Sequence, residues 1–163
     1  MWSEIDPHAR HGLTLALDRL ELARLANNEI DWFVSASETI FWLMLADELC
    51  WQKPGYKEET LADPRASKLS GFRYLWNLIK HHPIIALTDF MPGTAWSMPW
   101  PAVWQETHWK ARRDLPAVDA RYTTSKRYPE QIAAYDQWLA GQLVKVTVPA
   151  AASFFDCRPS AYR

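Results

Sequence analysis

The chemistry this sequence offers is concentrated between residues 73 and 81. Within FRYLWNLIKHHP, Phe72 to Pro83, the side chains Arg73, Asn77, Lys80 and His81 interrupt a run of Phe, Tyr, Leu, Trp and Ile. A helix advances by about 100° per residue, which places Asn77 about 40° and His81 about 80° to one side of Arg73, and Lys80 about 20° to the other. One face therefore gathers two cations, an amide and an imidazole, while Leu75, Leu78 and Ile79 point elsewhere and can join a core. The same clustering is equally compatible with a solvated helix face whose polar groups make only weak exposed contacts.

A buried stripe of this kind needs a counter-charge. Glu38 is the expected partner, because a helix through WFVSASETIFWLMLADELCW puts it on one face with Val34, Trp42, Leu45 and Leu49. A carboxylate set among apolar neighbours forms a hydrogen-bonded ion pair, since an unpaired buried charge is costly. Arg73 or His81 would satisfy it. Structurally such a pair pins two helices in register; functionally it would orient the imidazole and raise its pKa.

The elements that must position these groups read as helices. Leu13, Ala16, Leu17, Leu20 and Ala23 recur at helical spacing between His11 and Asn28, with Asp18, Arg19, Glu21 and Arg24 left to face water. A second helix follows, capped by Asp31, and it is apolar almost all round, as befits a central element. Residues 53–64 mix Pro, Gly and charge and read as an exposed connection, with Asp63-Pro64 opening a third helix that runs to about His82. Pro83 stops it there.

Residues 92–128 form a Trp- and Pro-rich excursion, expected to be irregular apart from a short strand or hairpin over Ala102 to Trp109. It reads more readily as a flap packed on the bundle than as an aromatic box for a small ligand. Pro129 then starts a short amphipathic helix with Gly141 as its C-cap. The last stretch, LVKVTVPAAASFF, alternates like a strand but is assigned here to a closing helix near Pro149.

Bulk properties bound the possibilities. The chain has 163 residues, 48% hydrophobic and 13% aromatic, enough for one domain, residues 1–163, with a sizeable core. Residues 1–52 carry three basic and nine acidic side chains, 53–82 six and three, and 83–163 nine and seven. That balance argues against a polybasic DNA clamp, yet leaves the segment around Arg73 locally positive, suited to short RNA contacts. Cys50 and Cys157 form no metal-ligand or disulfide pattern, and no signal-peptide or membrane-spanning run is seen, so the expectation is a cytoplasmic protein with no membrane association. His81 and His82 point about 100° apart and make poor co-ligands, and no HExxH, Walker A, GxGxxG or GxSxG motif occurs. No metal and no cofactor is expected.

The segment FRYLWNLIKHH resembles the HEPN superfamily, small helical bundles that carry an Arg, a following polar residue and a His four to six positions apart. With LPAV and PEQIAAYDQWLAGQLV it is similar, more narrowly, to a group of bacterial proteins with an Arg-Tyr-x-Arg-Asn-x-x-x-His run. Asn77 matches the polar position and His81 the motif His, whereas Trp76 stands where the motif Arg would be. Arg73, with seven residues between it and His81, is the substitute. The resemblance implies an all-α, HEPN-like bundle of four or five helices that forms a homodimer. It implies metal-independent RNA cleavage, with His81, Asn77 and Arg73 catalytic and Arg73 and Lys80 on the phosphates. The alternative is a non-catalytic helical module for dimerisation or for an unknown protein partner, in which Trp76 adds contact area in place of charge.

Overall fold

The computed structural model of the protein describes residues 4–26, 29–80, 88–92 and 105–157. Helix α1 spans Pro7–Leu25. It begins earlier than the apolar periodicity alone indicates, because the Asp6 carboxylate accepts from the amides of His8 at 2.9 Å and Ala9 at 3.1 Å and Pro7 occupies the first turn. Helix α2, Glu29–Cys50, starts before Asp31, which therefore lies in its first turn, where a carboxylate suits the helix dipole. The two pack side by side as a hairpin. Gly12 makes this possible, since a Cβ there would sit 2.5 Å from the Trp42 ring.

The stretch read as an exposed connection folds instead into a short helix, α3, Tyr56–Ala62. The cause is Tyr56, an aromatic anchor with no exposed surface, stacked on Phe155 and edge-on to Phe154. Asp63 does not cap the next helix. Its carboxylate is taken by the amide and guanidinium of Arg65, closing a turn, and α4 becomes regular only at Ser67–Ile79. Helix α4 packs on α6, Tyr128–Trp138, where Gly71 lets Leu139 and the Tyr135 backbone approach.

Strands β1, Thr88–Pro92, and β2, Gln105–Trp109, pair antiparallel with Thr88 opposite Trp109. Of the strand or hairpin expected over Ala102 to Trp109, a strand is present over Gln105–Trp109, paired with Thr88–Pro92, while residues 102–104 lie outside the described residues. Trp109 is buried against Phe72 and donates its indole N–H to the Thr147 hydroxyl at 2.8 Å, so this part of the Trp-rich segment is core. A short helix α5, Ala120–Thr123, follows. Gly141 lies past the end of α6 at a φ of +71°, where glycine is favoured, and its amide reaches the Trp109 carbonyl at 2.8 Å.

The closing segment is helical, α7, Val144–Ala152, with Pro149 inside it rather than ahead of it. Helix α7 touches α1, α2, α4 and β2, and its buried Val144, Val148, Ala151 and Ala152 join the two helix pairs. The described chain is therefore mostly helical with one strand pair; among the described residues five helices have nine residues or more. No helix among them is long and apolar enough to cross a membrane.

Candidate functional site

Arg73 does find a buried carboxylate, but it is Asp47 and not Glu38. From α4, the Arg73 Nε and Nη2 groups donate to the two Asp47 oxygens at 2.7 Å each, a fork-on-fork pairing. Asp47 lies on the inner face of α2 with its side chain 4% exposed. The Tyr56 hydroxyl donates to the same carboxylate at 2.5 Å, and the third Arg73 nitrogen, Nη1, reaches the Ser70 hydroxyl at 3.3 Å. Three helices, α2, α3 and α4, are tied at one point.

The electrostatics of this cluster follow from its depth. Burial works to lower the Arg73 pKa, but the hydrogen bonds and charge of Asp47 outweigh it, so the guanidinium is held charged. Burial, and then the adjoining Asp47 charge, push the Tyr56 phenol far up, leaving it a neutral donor. Arg73 is therefore occupied as a pin.

Glu38 pairs instead with Arg19 of α1 at 2.6 Å, with the carboxylate 29% and the guanidinium 57% exposed. Its expected companions Val34 and Leu49 are exposed too, so this face of α2 is its outer one. Neither Arg73 nor the imidazole is needed to neutralise it.

Around the pin runs a groove in two adjoining parts of about 300 and 470 Å³, which share Trp51, Arg73, Arg127 and Gln131 in their linings. Trp51, which directly follows α2, is its floor. The Arg127 guanidinium lies 4.3 Å from its ring centroid, Arg73 4.8 Å and the Lys57 ammonium 5.3 Å. Lys80 lies 5.0 Å over Trp76, and at the far end Lys68 lies 5.2 Å over Trp138. These are cation–π distances, and the groove lining sets the cations Lys57, Arg73, Lys80 and Arg127 beside the carboxylates Asp47, Glu48 and Glu130. Asn77 and Lys80 of the predicted polar stripe line the first part; Glu48 and Glu130 add carboxylates at the rims.

Of the sequence-predicted site, then, Arg73, Asn77 and Lys80 do share one groove. His81, the proposed imidazole, and His82 lie outside the described residues, as do residues 93–104 of the Trp/Pro-rich excursion. Asp47, Trp51, Tyr56 and Arg127 were not foreseen. Asp47 carried a usable signal, an acid with Ile40, Leu43 and Met44 one and two turns before it, the rule that was applied to Glu38. Among the described residues no three His, Cys, Asp or Glu side chains converge as a metal site would require.

Fold and site together define a mostly helical protein with a groove lined by Trp51 and by charges of both signs. No family model, curated protein or solved structure matches the chain.

Proposed function

We propose that this is an RNA-directed, HEPN-like helical protein that takes RNA along the Trp51 groove. The observation that carries the reading is the meeting of Asn77 and Lys80, from the motif helix, with Arg127, Lys57 and Trp51 in one channel. Single-stranded nucleic acid is bound by such a combination: cations track the phosphates, while aromatic rings offer platforms on which bases stack. In this scheme Lys80, Arg127 and Lys57 meet phosphates, and a base displaces Arg127 from the Trp51 face. Arg73 acts as a positioning residue, because its donors are engaged by Asp47 and Ser70.

Cleavage, where it occurs, falls to His81 as general acid or base next to Lys80, with Asn77 assisting and no metal or cofactor. The engaged state of Arg73 and the presence of Trp76 at the motif Arg position leave little charge stabilisation for the transition state. This favours a weak or degenerate ribonuclease, and it gives the non-catalytic interaction module as the second reading.

The test is titration of tryptophan fluorescence with short single-stranded RNA at several salt concentrations. Lys80→Ala and Arg127→Ala should each weaken binding and reduce the slope of log affinity against log salt by about one. Trp51→Ala should cost about 1–3 kcal/mol of affinity. If RNA is cleaved in the presence of a chelator, His81→Ala should slow it by about 10²- to 10⁴-fold. Absence of binding at low salt, or binding indifferent to all three groove substitutions, removes the proposal.

A further inference from the structure

The groove carries two groups for which phosphate binding has no use. Glu48, in the last turn of α2, lines its first part, and Glu130, in the first turn of α6, lines its second. Both are exposed, and among the described residues no hydrogen bond or ion pair engages either carboxylate. Asp47, the third acid of the lining, is occupied by Arg73 and Tyr56. An open carboxylate repels phosphates, so in an RNA channel it is matched only by a part of the ligand that donates. Glu130 also suits the dipole of α6 where it stands, a role indifferent to the ligand.

Glu130 is the better placed of the two open acids. It shares its part of the groove with Trp51 and with Lys57 and Arg127, two of the cations on that ring. It follows Arg127 by three residues at the start of α6, a spacing that sets both side chains on one side of the helix. Its charge also reaches Arg73, where, after the opposing burial and the contributions of Asp47 and then Tyr56, it favours the protonated guanidinium. A base that replaces Arg127 on the Trp51 face therefore has Glu130 beside it.

A carboxylate only accepts, and it does so with two oxygens side by side. Unpaired bases are read on their Watson–Crick edges, and there guanine alone offers two parallel donors, the ring N1–H and the exocyclic N2–H. Adenine and cytosine each set one amino donor beside a ring acceptor that would face the second oxygen. Uracil sets one N–H between two carbonyls.

We infer that the Trp51 site selects guanine, with the base stacked on Trp51 and the Glu130 carboxylate accepting from N1–H and N2–H. Lys57 and Arg127 then meet the phosphates on either side of it. The inference rests on the reading of this groove as an RNA channel and adds the base that the channel prefers.

Fluorescence titration of the full chain with uridine pentanucleotides carrying guanine, adenine or hypoxanthine at the centre tests it. Guanine should be preferred to adenine by about fivefold to a hundredfold, the range for one bidentate contact. Hypoxanthine lacks the 2-amino group and should lose much of that preference. Glu130→Gln should abolish it, because an amide presents one donor and one acceptor and so matches adenine as well. Glu58→Gln, on exposed α3 surface outside both parts of the groove, should leave it unchanged. If Glu130 served only the helix dipole or the general field, Glu130→Gln would shift all three RNAs alike, and that result overturns the inference. Equal binding of the guanine and adenine RNAs by the wild type also overturns it, while leaving the RNA channel in place. No binding of any pentanucleotide removes the channel itself. Guanosine monophosphate should bind about tenfold or more weaker than the guanine pentanucleotide, because the neighbouring phosphates are gone. Equal affinity would assign the same guanine chemistry to a free nucleotide and remove the RNA channel.

Discussion

Helix α2 carries two carboxylates that each meet an arginine, one on either face, and the two pairs have opposite consequences. Asp47 is 4% exposed and receives two bonds from Arg73 and one from Tyr56, so it joins α2, α3 and α4. Glu38 receives one bond from an arginine that is itself 57% exposed, and joins only α1 to α2, which already pack along their lengths. The geometry of the two closest contacts is similar, 2.7 and 2.6 Å. Depth separates them. Toward the interior, loss of one partner leaves a charge with little water to receive it, while at the surface water replaces the partner at little cost.

The largest effect expected from this contrast is at Asp47. Asp47→Ala should destabilise the fold by about 3–5 kcal/mol, read from the denaturation midpoint at unchanged slope, because it strands the Arg73 guanidinium and the Tyr56 hydroxyl together. A double variant, Asp47→Ala with Arg73→Met, should recover much of that loss, since it removes the stranded charge as well. If Asp47→Ala costs under about 1 kcal/mol, burial does not distinguish the two pairs.

A third pair, Asp63 with Arg65, should fall between them. It closes a turn, and Arg65 also reaches the Ser153 carbonyl at 3.3 Å, tying the start of α4 to the C-terminal segment. The hydrogen bond from Arg65 first, then the Arg65 amide and charge, hold the Asp63 carboxyl at about 2, below its ordinary 3.8, against a smaller opposing effect of burial. A depressed carboxylate stabilises the fold fully above its unfolded value and loses that contribution as pH falls through its folded one. The stability difference between wild type and Asp63→Asn should therefore be constant near neutrality and shrink from about pH 4 toward pH 2. A difference that does not change over that window would separate Asp63 from the turn's stability.

How far the sequence reveals this arrangement depends on which face of α2 looks inward. Apolar spacing with Pro and Gly punctuation, which are local signals, located α1, α2, α4 and α6; α7 was assigned against a strand-like alternation, and neither Asp31 nor Asp63 stands at the helix start expected of it. Apolar spacing could not choose between Glu38 and Asp47. Both have apolar residues one turn away on a helix that is apolar nearly all round, and only contact with α1, α4 and α7 decides which carboxylate is buried. The groove was half legible. Arg73, Asn77 and Lys80 share a helix face, so their meeting follows from periodicity; Arg127 comes from the start of α6, far along the chain, and its place on Trp51 depends on the packing of α4 against α6. Tyr56 was hidden by its setting, a Pro- and Gly-rich stretch whose composition suggests a loop while one aromatic side chain anchors it as a helix.

The smallest effect expected belongs to Glu38, and it gives the contrast its sharpest form. Glu38→Ala should cost less than about 1 kcal/mol of stability in the monomer, because Arg19 remains hydrated when its partner is gone. A cycle combining Glu38→Ala and Arg19→Ala should give a coupling of about 0.2–1 kcal/mol that falls with added salt, since screening acts on exposed charges and much less on buried ones. The corresponding cycle at Asp47 and Arg73 should give a larger coupling that salt hardly changes. Equal couplings, or equal salt dependence, would mean that the two faces of α2 present the same electrostatic environment, and the division of the helix into a core side and an outer side would fail with them.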